Sequence, residues 1–184
     1  MVNHNTIGIM NLKETVKFLI IAIVIVVPIR MFIAEPFIVN GASMDPTFAS
    51  GHYLIVDQLT YVFSKPERLD IIVFKYPVHT KTYLIKRVIG LPGEIVSIKD
   101  GKVKIINKDN PEGMDISDDY VIAEHKTHEN SEIKLSNTEY FVMGDNRANS
   151  SDSRIWGPLE EKYIVGRPFI RLLPITKIDI LPGQ

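Results

Sequence analysis

The sequence predicts a mainly β protein preceded by one N-terminal transmembrane helix. Two observations carry this prediction. An apolar run lies near the N-terminus, and the rest of the chain consists of short alternating segments separated by Gly, Pro and Asp, without a sustained helical period. Residues 35–184 form a stretch of 150 residues, and a chain of that size can bury about 70% of its unfolded surface in one core. We therefore expect one principal domain after the helix.

Residues 18–34 are expected to form the membrane anchor. The first twelve carry no charge, and Arg30 is followed by four more apolar residues. A full span needs about 20 mainly apolar residues, but an arginine near a helix end can place its guanidinium among the headgroups. A proline such as Pro28 is tolerated in transmembrane helices because neighbouring groups satisfy the freed backbone. The alternative is a cleaved secretory signal, although no small-x-small site follows the run.

The charges around the apolar run predict the orientation of the chain. Lys13 and Lys17 precede the run, whereas Glu35 partly offsets Arg30 on the other side. By the positive-inside rule, residues 1–17 lie in the cytoplasm. The body of the protein then faces outward as an extracytoplasmic domain.

The body is predicted to consist of strands read from its alternating segments. These strands cover residues 53–56, 70–74, 82–89, 94–99, 102–106 and 140–143. Asp100 and Gly101 form the residue pair that a two-residue type I′ turn requires, because both positions need a positive φ. Residues 108–137 are rich in Asp, Glu, Asn, Ser and His, which predicts a surface excursion or a small subdomain.

The composition excludes several classes of function. With 21 basic and 22 acidic side chains, the formal net charge of −1 gives no electrostatic reason to expect a nucleic-acid partner. The absence of cysteine excludes disulfides and thiolate metal sites. His125 and His128 are three residues apart, but no third ligand is evident and a solvated loop is the commoner explanation for such a pair. We expect no metal site.

Ser43 is the strongest candidate nucleophile in the chain. It lies in the polar turn GASMDPT, residues 41–47, within ten residues of the end of the apolar run. A serine in such a turn is held close to the membrane surface. It needs a base to become reactive, and none of the five histidines has an evident partner arrangement with a serine and an acid.

Lys86 is the alternative base. Period-2 alternation along the predicted strand 82–89 places it on one face with Leu84 and Val88. Burial among aliphatic side chains disfavours the ammonium and can lower a lysine pKa by ~3 to 5 units, which would give a neutral amine that accepts a serine proton. Taken alone, the strand pattern favours a surface lysine that protects a sheet edge.

Four motifs follow the apolar run in order. They are GASMDPT at 41–47, DIIVFKYP at 70–77, KRVIGLPGE at 86–94 and GDNRANSSDSR at 144–154. Together they resemble the motifs of bacterial type I signal peptidases, in particular the compact members from Gram-positive bacteria. The resemblance covers residues 18 to about 170, apart from the polar segment 108–137.

The resemblance implies a β-rich catalytic domain of antiparallel sheets, of the signal-peptidase and LexA-like kind. It implies a membrane-bound serine endopeptidase with Ser43 as nucleophile and Lys86 as general base, working through an acyl-enzyme. The substrates would be secretory preproteins, cut after Ala-x-Ala sites beside the lipid bilayer and near the protein export machinery. No metal or organic cofactor is implied.

Three further residues acquire supporting roles from the resemblance. The serine at the position of Ser150 is expected to hydrogen-bond the lysine amine. Asp152 and Arg154 lie two residues apart, so a carboxylate and a guanidinium can brace each other. Without the resemblance, these two would be interpreted as a surface ion pair. Gly144, Asp145 and Asn146 are expected to be structural, making the turn that brings this segment beside the strand of Lys86.

The sequence departs from the family pattern at the oxyanion hole and matches it along the substrate cleft. Some family members carry a serine two residues before the nucleophile, where this chain has Gly41, so we expect backbone N–H groups, including that of Ser43, to hold the oxyanion. Seven apolar residues align with cleft positions, although each could also be simply core. They are Phe37, Val39, Met44, Leu54, Val73, Leu84 and Ile85.

Two other functions remain open from the sequence. The chain could be a catalytically inert or specialised homologue that acts in the assembly of surface proteins. It could also be a Ser-Lys protease that cuts itself, as LexA-like repressors do with a similar pair of residues.

Overall fold

The structure is a computed structural model, and it describes residues 12–28, 34–117, 119–121 and 130–183. His125, His128 and residues 29–33 of the predicted anchor lie outside these ranges. Helix α1 covers Leu12–Pro28, so it begins before the predicted anchor and ends at its proline. Ala34, the last residue of the predicted anchor, opens a β-strand. Across the described ranges, no helix is long and apolar enough to cross a membrane.

The described body is built from antiparallel strands and two short helices. The helices are α2 (Thr60–Phe63) and α3 (Ser153–Trp156). The strands are β1 (Ala34–Ile38), β2 (Tyr53–Asp57), β3 (Ile71–Tyr76), β4 (His79–Gly90), β5 (Ile95–Lys99), β6 (Lys102–Ile106), β7 (Met114–Asp115), β8 (Ser131–Lys134), β9 (Glu139–Met143), β10 (Leu159–Glu160), β11 (Ile164–Leu173) and β12 (Asp179–Ile180). The predicted mainly β class with antiparallel sheets is confirmed.

The larger sheet has eight strands in the order β1-β2-β11-β3-β4-β9-β10, with β12 paired to β11. Strand β4 lies between β3 and β9, but it pairs with β9 only from Arg87 onward. The first half of β4 therefore has β3 on one side and an open edge on the other. Lys86 is the last residue of this unpaired half of β4.

The smaller sheet has four strands in the order β7-β6-β5-β8. Its central hairpin joins β5 to β6 through Asp100 at φ 50° and Gly101 at φ 77°, with Lys99 opposite Lys102. Strands β7 and β8 come from the polar segment 108–137 and extend the hairpin on both sides. Pairing of β7 and β8 with the hairpin thus brings parts of this segment into the smaller sheet, although the segment has few large apolar side chains.

The predicted strands all occur, with bounds that differ by up to three residues. Strand β11 was not predicted, because Arg167, Pro168 and Arg171 interrupt any alternation in its sequence. It nevertheless joins the two halves of the larger sheet, pairing with β2 and β3 through register shifts.

Three clusters of buried apolar residues form the core. The first joins the smaller sheet to β9 and includes Val96, Ile105 and Phe141. The second lies on one face of β3, β4 and β9. The third supports the turn that carries Ser43 and consists of Val39, Met44, Phe48, Leu54 and Ile71, with Ile85 packed against it.

Candidate active site

Ser43 is fixed by the residues that follow it and by the 144–150 loop. Met44 and Phe48 are 1% and 0% exposed, and the Phe48 N–H donates to the Met44 carbonyl at 2.9 Å. The Asn146 N–H donates to the Ser43 carbonyl at 3.0 Å. Two apolar side chains below the turn and one hydrogen bond above it therefore set the position of the serine.

Lys86 approaches Ser43 from the open part of β4. The register places Lys86 opposite Ile72 and Leu84 opposite Phe74, so these four side chains share a sheet face. Lys86 is 2% exposed, and its Nζ donates to Ser43 Oγ at 2.7 Å and to the Ile85 carbonyl at 3.0 Å. The amine and the hydroxyl are thus in direct contact.

The surroundings of Lys86 favour its neutral form. Burial lowers the pKa of the ammonium from 10.5 to about 8, and the carboxylates of Asp152 and Asp145 partly offset this lowering. A lysine with a pKa near 8 has a substantial neutral fraction at mildly alkaline pH. The site can therefore supply an unprotonated amine beside a serine hydroxyl.

Asp152 and Arg154 form a buried pair at the start of α3. Their side chains are 0% and 4% exposed, and Asp152 accepts from Arg154 Nε at 2.8 Å and Nη2 at 2.9 Å. Asp152 also accepts from the Gly144 N–H at 3.0 Å. The pair thereby anchors the loop whose other end holds the Ser43 carbonyl. This is a buried network, and not the surface ion pair that the sequence pattern alone favoured.

Ser150 does not make the hydrogen bond that was expected of it. Its Oγ is buried, and within the described ranges it has no hydrogen-bond partner. The hydroxyl lies beside Gly144, where an added Cβ would overlap Ser150 Oγ and the Ser43 carbonyl oxygen. Gly144 is therefore needed for the close approach of these segments, and Ser150 stands next to the site without bonding Lys86.

A groove of about 460 Å³ leads to Ser43 and Lys86 between β1 and β4. Six of the seven predicted cleft residues line it, namely Phe37, Val39, Leu54, Val73, Leu84 and Ile85. Met44 is different, because its side chain points into the core below the serine turn and is 1% exposed. Tyr83 also lines the groove, and its ring meets Phe37 edge to face at 5.1 Å between centroids.

The backbone around Ser43 leaves room for a developing oxyanion. Gly41 has φ +98°, and no described atom lies within 4 Å of the position of an added Cβ. The N–H of Ser43 donates no hydrogen bond within the described part of the chain. The nucleophile itself therefore carries a backbone donor that no described residue engages. Among the described residues, no group of three His, Asp or Glu side chains is suited to a metal ion.

The family described as signal peptidase, peptidase S26, matches residues 12–173. The chain belongs to the signal peptidase family. The probable signal peptidase I-1 of Synechocystis sp. is 35% identical over 173 residues, which cover 90% of this chain and 85% of that protein. Signal peptidase I V of Bacillus subtilis is 35% identical over 158 residues, 80% of this chain and 90% of that protein.

Among solved structures, a signal peptidase I from Enterococcus faecalis is 31% identical, with a TM-score of 0.48 over 56% of this chain and 97% of that one. The family match and the two relatives confirm, at the level of the family, the resemblance that was inferred from the four motifs, and the chain is a member of a peptidase family.

Sequence reasoning missed a second buried ion pair in this signal peptidase. Arg87 Nε and Nη2 donate to the two carboxylate oxygens of Asp145 at 2.9 and 2.7 Å. Thr47 Oγ1 donates to the same carboxylate at 2.6 Å. The pair therefore ties β4, the 144–150 loop and the serine turn together. The available signal was an arginine directly after Lys86 in a strand, where it must lie on the other face.

Arg147, for which the sequence suggested no role, is also buried. It is 3% exposed, and its Nε donates to the Gly144 carbonyl at 3.0 Å. Its own carbonyl accepts from Arg154 Nη2 at 2.7 Å. Arg147 thus closes the loop onto the buried pair of Asp152 and Arg154.

Proposed function

We propose that this chain is a membrane-bound serine endopeptidase that removes N-terminal signal peptides from exported preproteins, cutting after small-x-small (Ala-x-Ala) sites. One observation carries the proposal: Lys86 Nζ lies 2.7 Å from Ser43 Oγ at the end of an apolar groove. Family membership supplies the class of reaction. Amine and hydroxyl within hydrogen-bond reach form the arrangement that activates a serine without a histidine.

In the reaction, neutral Lys86 accepts the proton of Ser43 Oγ as the oxygen attacks the scissile carbonyl carbon. The tetrahedral intermediate collapses when the C–N bond breaks, and the lysine passes its proton to the leaving amine. The product is an ester between Ser43 and the signal peptide. Lys86 then takes a proton from water as the hydroxide attacks the ester carbonyl. The ester bond to Ser43 Oγ breaks, Lys86 returns its proton to that oxygen, and the released signal peptide loses the proton of its new carboxylic acid to solvent.

Backbone donors serve as the oxyanion hole in this proposal. The Ser43 N–H has no partner in the described ranges, and Gly41 leaves open space beside it. Removal of one donor from such a site costs about 2.7 to 4 kcal/mol of transition-state stabilisation. A backbone donor therefore replaces the serine hydroxyl that some family members carry two residues before the nucleophile.

Specificity is assigned to the groove. An extended substrate can add to the open edge of β4, since β9 pairs with that strand only from Arg87 onward. Alternate side chains of the substrate would then point towards the face that carries Val73 and Ile85, and the others towards the face of Leu84. A groove lined by these side chains accepts small residues and excludes large ones before the cut.

The membrane anchor is proposed for residues 18–34, with residues 1–17 in the cytoplasm and residues 35–184 as the extracytoplasmic catalytic domain. Support comes from α1, whose apolar side chains are exposed, including Phe18 at 66%, Ile23 at 58% and Val24 at 64%. Exposed apolar surface of this extent marks a contact with lipid or with another protein. Anchoring would hold the enzyme on the surface where exported preproteins emerge from the export machinery, raising the frequency of encounter.

The test compares the full chain with Ser43→Ala and Lys86→Ala variants in lipid vesicles. The substrate is a preprotein with an Ala-x-Ala site, and the N-termini of the products are sequenced. Both variants should lose cleavage by a factor of 10³ or more, on the order of the losses seen when a nucleophile or its base is removed.

Two exposed residues provide matched controls. Ser151→Ala and Lys65→Met should cleave at the parent rate, because Ser151 is exposed and the Lys65 side chain is 68% exposed. Cleavage at the parent rate by Ser43→Ala would refute the proposed nucleophile. A parent protein that cuts no preprotein would indicate the inert homologue instead.

A further inference from the structure

Tyr120 is a described residue of the polar segment 108–137 that reaches the back of the candidate active site. Its ring centroid lies 4.2 Å from the guanidinium carbon of Arg87. Its hydroxyl accepts from Arg147 Nη2 at 3.1 Å. One side chain from the smaller sheet's flank therefore touches two arginines of the catalytic framework.

The Arg87 contact leads to the serine turn in two steps. Arg87 donates hydrogen bonds to both carboxylate oxygens of Asp145. The same carboxylate accepts a hydrogen bond from Thr47, four residues after Ser43. Arg87 Nη1 also donates to the carbonyls of Leu69 and Gly183 at 3.0 Å each. Every nitrogen of the guanidinium is thus engaged in its plane, which leaves its face for an aromatic ring.

The Arg147 contact leads to Ser43 by a second route. Arg147 Nε donates to the Gly144 carbonyl at 3.0 Å, and Gly144 lies against the Ser43 carbonyl. Two residues further on, the Asn146 N–H holds that same carbonyl at 3.0 Å. Tyr120 therefore meets both chains of contacts that set the position of the nucleophile.

We propose that Tyr120 is a positioning residue for Ser43, acting through Arg87 and Arg147. The ring lies over the Arg87 guanidinium, and the hydroxyl accepts a hydrogen bond from Arg147. The inference rests on the proposed function, since it assigns Tyr120 a part in holding the nucleophile of that reaction. It also gives a described residue of the polar segment 108–137 a contact with the framework that carries the serine turn.

The contacts predict which kinetic constants change. Among the described residues, those that line the groove do not include Tyr120, so its replacement should leave KM within about twofold. A displacement of the reacting atoms by about 1 Å can lower the rate by about 10²-fold. We expect Tyr120→Leu to lower kcat by about 10-fold to 100-fold.

The pH dependence of the rate distinguishes a positioning role from general destabilisation, because destabilisation alone would not shift the acidic limb of the profile. The carboxylates of Asp152 and Asp145 both raise the Lys86 pKa. If Arg87 shifts, it neutralises Asp145 less well, and the negative charge of Asp145 then acts more strongly on Lys86. The acidic limb of the pH–rate profile of Tyr120→Leu should therefore move to higher pH, so that its deficit in kcat/KM is larger at pH 7 than at pH 9.5.

The experiment measures kcat, KM and the pH profile for preprotein cleavage by the full chain and three variants. Tyr120→Phe keeps the ring and should retain kcat within about threefold with an unmoved acidic limb. Tyr163→Leu is the matched control, because Lys162 lies over the Tyr163 ring at 5.0 Å and this ring packs against the second core cluster, which is not the one that supports the serine turn. It should retain the kcat and the pH profile of the parent.

The inference is overturned if folded Tyr120→Leu keeps the parent kcat and acidic limb, or if Tyr163→Leu shows the same losses. A rise in KM at constant kcat would also overturn it, because that result marks a substrate contact. If Tyr120→Leu does not fold, Tyr120→Gln is compared with Tyr120→Phe, and equal kcat values for these two would refute the role of the ring. Failure of the proposed function is a separate result, because the parent itself would then not cleave.

Discussion

Replacement of Lys86 by methionine should abolish activity and yet stabilise the protein at neutral pH. Lys86 is 2% exposed, and burial lowers its pKa from 10.5 to about 8. At about 1.36 kcal/mol per pKa unit, this difference corresponds to roughly 3 kcal/mol of unfolding free energy that the buried ammonium removes. Lys86→Met has a similar length and no charge. It therefore removes that penalty.

The loss of hydrogen bonds opposes this gain. Nζ donates to Ser43 Oγ and to the Ile85 carbonyl, and each such bond contributes about 1 kcal/mol. The net expectation at pH 7 is a gain of about 1 kcal/mol in the unfolding free energy of Lys86→Met. The gain should depend on pH, because only the parent carries the titrating group.

The direction of the pH dependence follows from proton binding. The folded pKa of Lys86, about 8, lies below the unfolded value of 10.5, so the unfolded parent binds more protons between these two pH values. The unfolding free energy of the parent therefore rises with pH through this window. The penalty is fully present below about pH 8 and is lost by about pH 10.5, and Lys86→Met lacks this rise.

Urea unfolding of both proteins at several pH values between 7 and 10.5 tests this reasoning. The chain has one tryptophan, and Trp156 packs 5.9 Å from the Phe74 ring, so its fluorescence reports unfolding of the core beside Lys86. Lys65→Met serves as the control, with an expected change within about 0.5 kcal/mol. A difference between parent and Lys86→Met that stays constant from pH 7 to 10.5 would refute the buried, weakly basic lysine.

Three further variants probe the framework and the groove. Asp145→Asn should lower the unfolding free energy by about 3 kcal/mol, because it leaves Arg87 buried without a charge partner. The control is Asp115→Asn, whose exposed ion pair should contribute less than about 1 kcal/mol. A loss as small as that in Asp145→Asn would contradict the prediction. Gly144→Ala should lower kcat and stability together, since its Cβ overlaps the Ser43 carbonyl, and parent-like kinetics would argue against the close approach. Ile85→Ala widens the groove. The ratio of kcat/KM for a substrate with valine before the cut to kcat/KM for the alanine substrate should rise by about 10-fold or more. An unchanged ratio would show that Ile85 does not determine specificity.

The sequence predicted most strands because their alternation matches one buried face, and it predicted the hairpin because Asp100 and Gly101 allow only a narrow set of turns. It missed β11, whose arginines and proline hide its period, although the strand is paired on both sides. Alternation alone placed Lys86 on one face of its strand. The contact of Lys86 with Ser43 could not be predicted in this way, because it depends on how the serine turn packs against the sheet.

The buried ion pairs show the same limit. Arg87 and Asp145 are 58 positions apart, and no local pattern connects them. Ser150 was expected to bond Lys86, but the lysine amine donates to the Ile85 carbonyl, and the Ser150 hydroxyl lies beside Gly144. Met44 was assigned to the cleft because it aligns with a cleft position of the family, whereas its side chain packs in the buried cluster below the serine turn. Local sequence fixes faces and turns, but long-range docking decides which polar groups meet.

The dependence of kcat/KM on pH tests the Ser43 and Lys86 mechanism most directly. For preprotein cleavage by the full chain, kcat/KM should rise through a single ionisation with a midpoint near pH 8, the pKa of the buried lysine in the free enzyme. At pH 7 the value should be about one tenth of the alkaline plateau. A profile that is flat from pH 6 to pH 9.5, or one with a midpoint near the ordinary histidine pKa of about 6.5, would contradict a lysine general base.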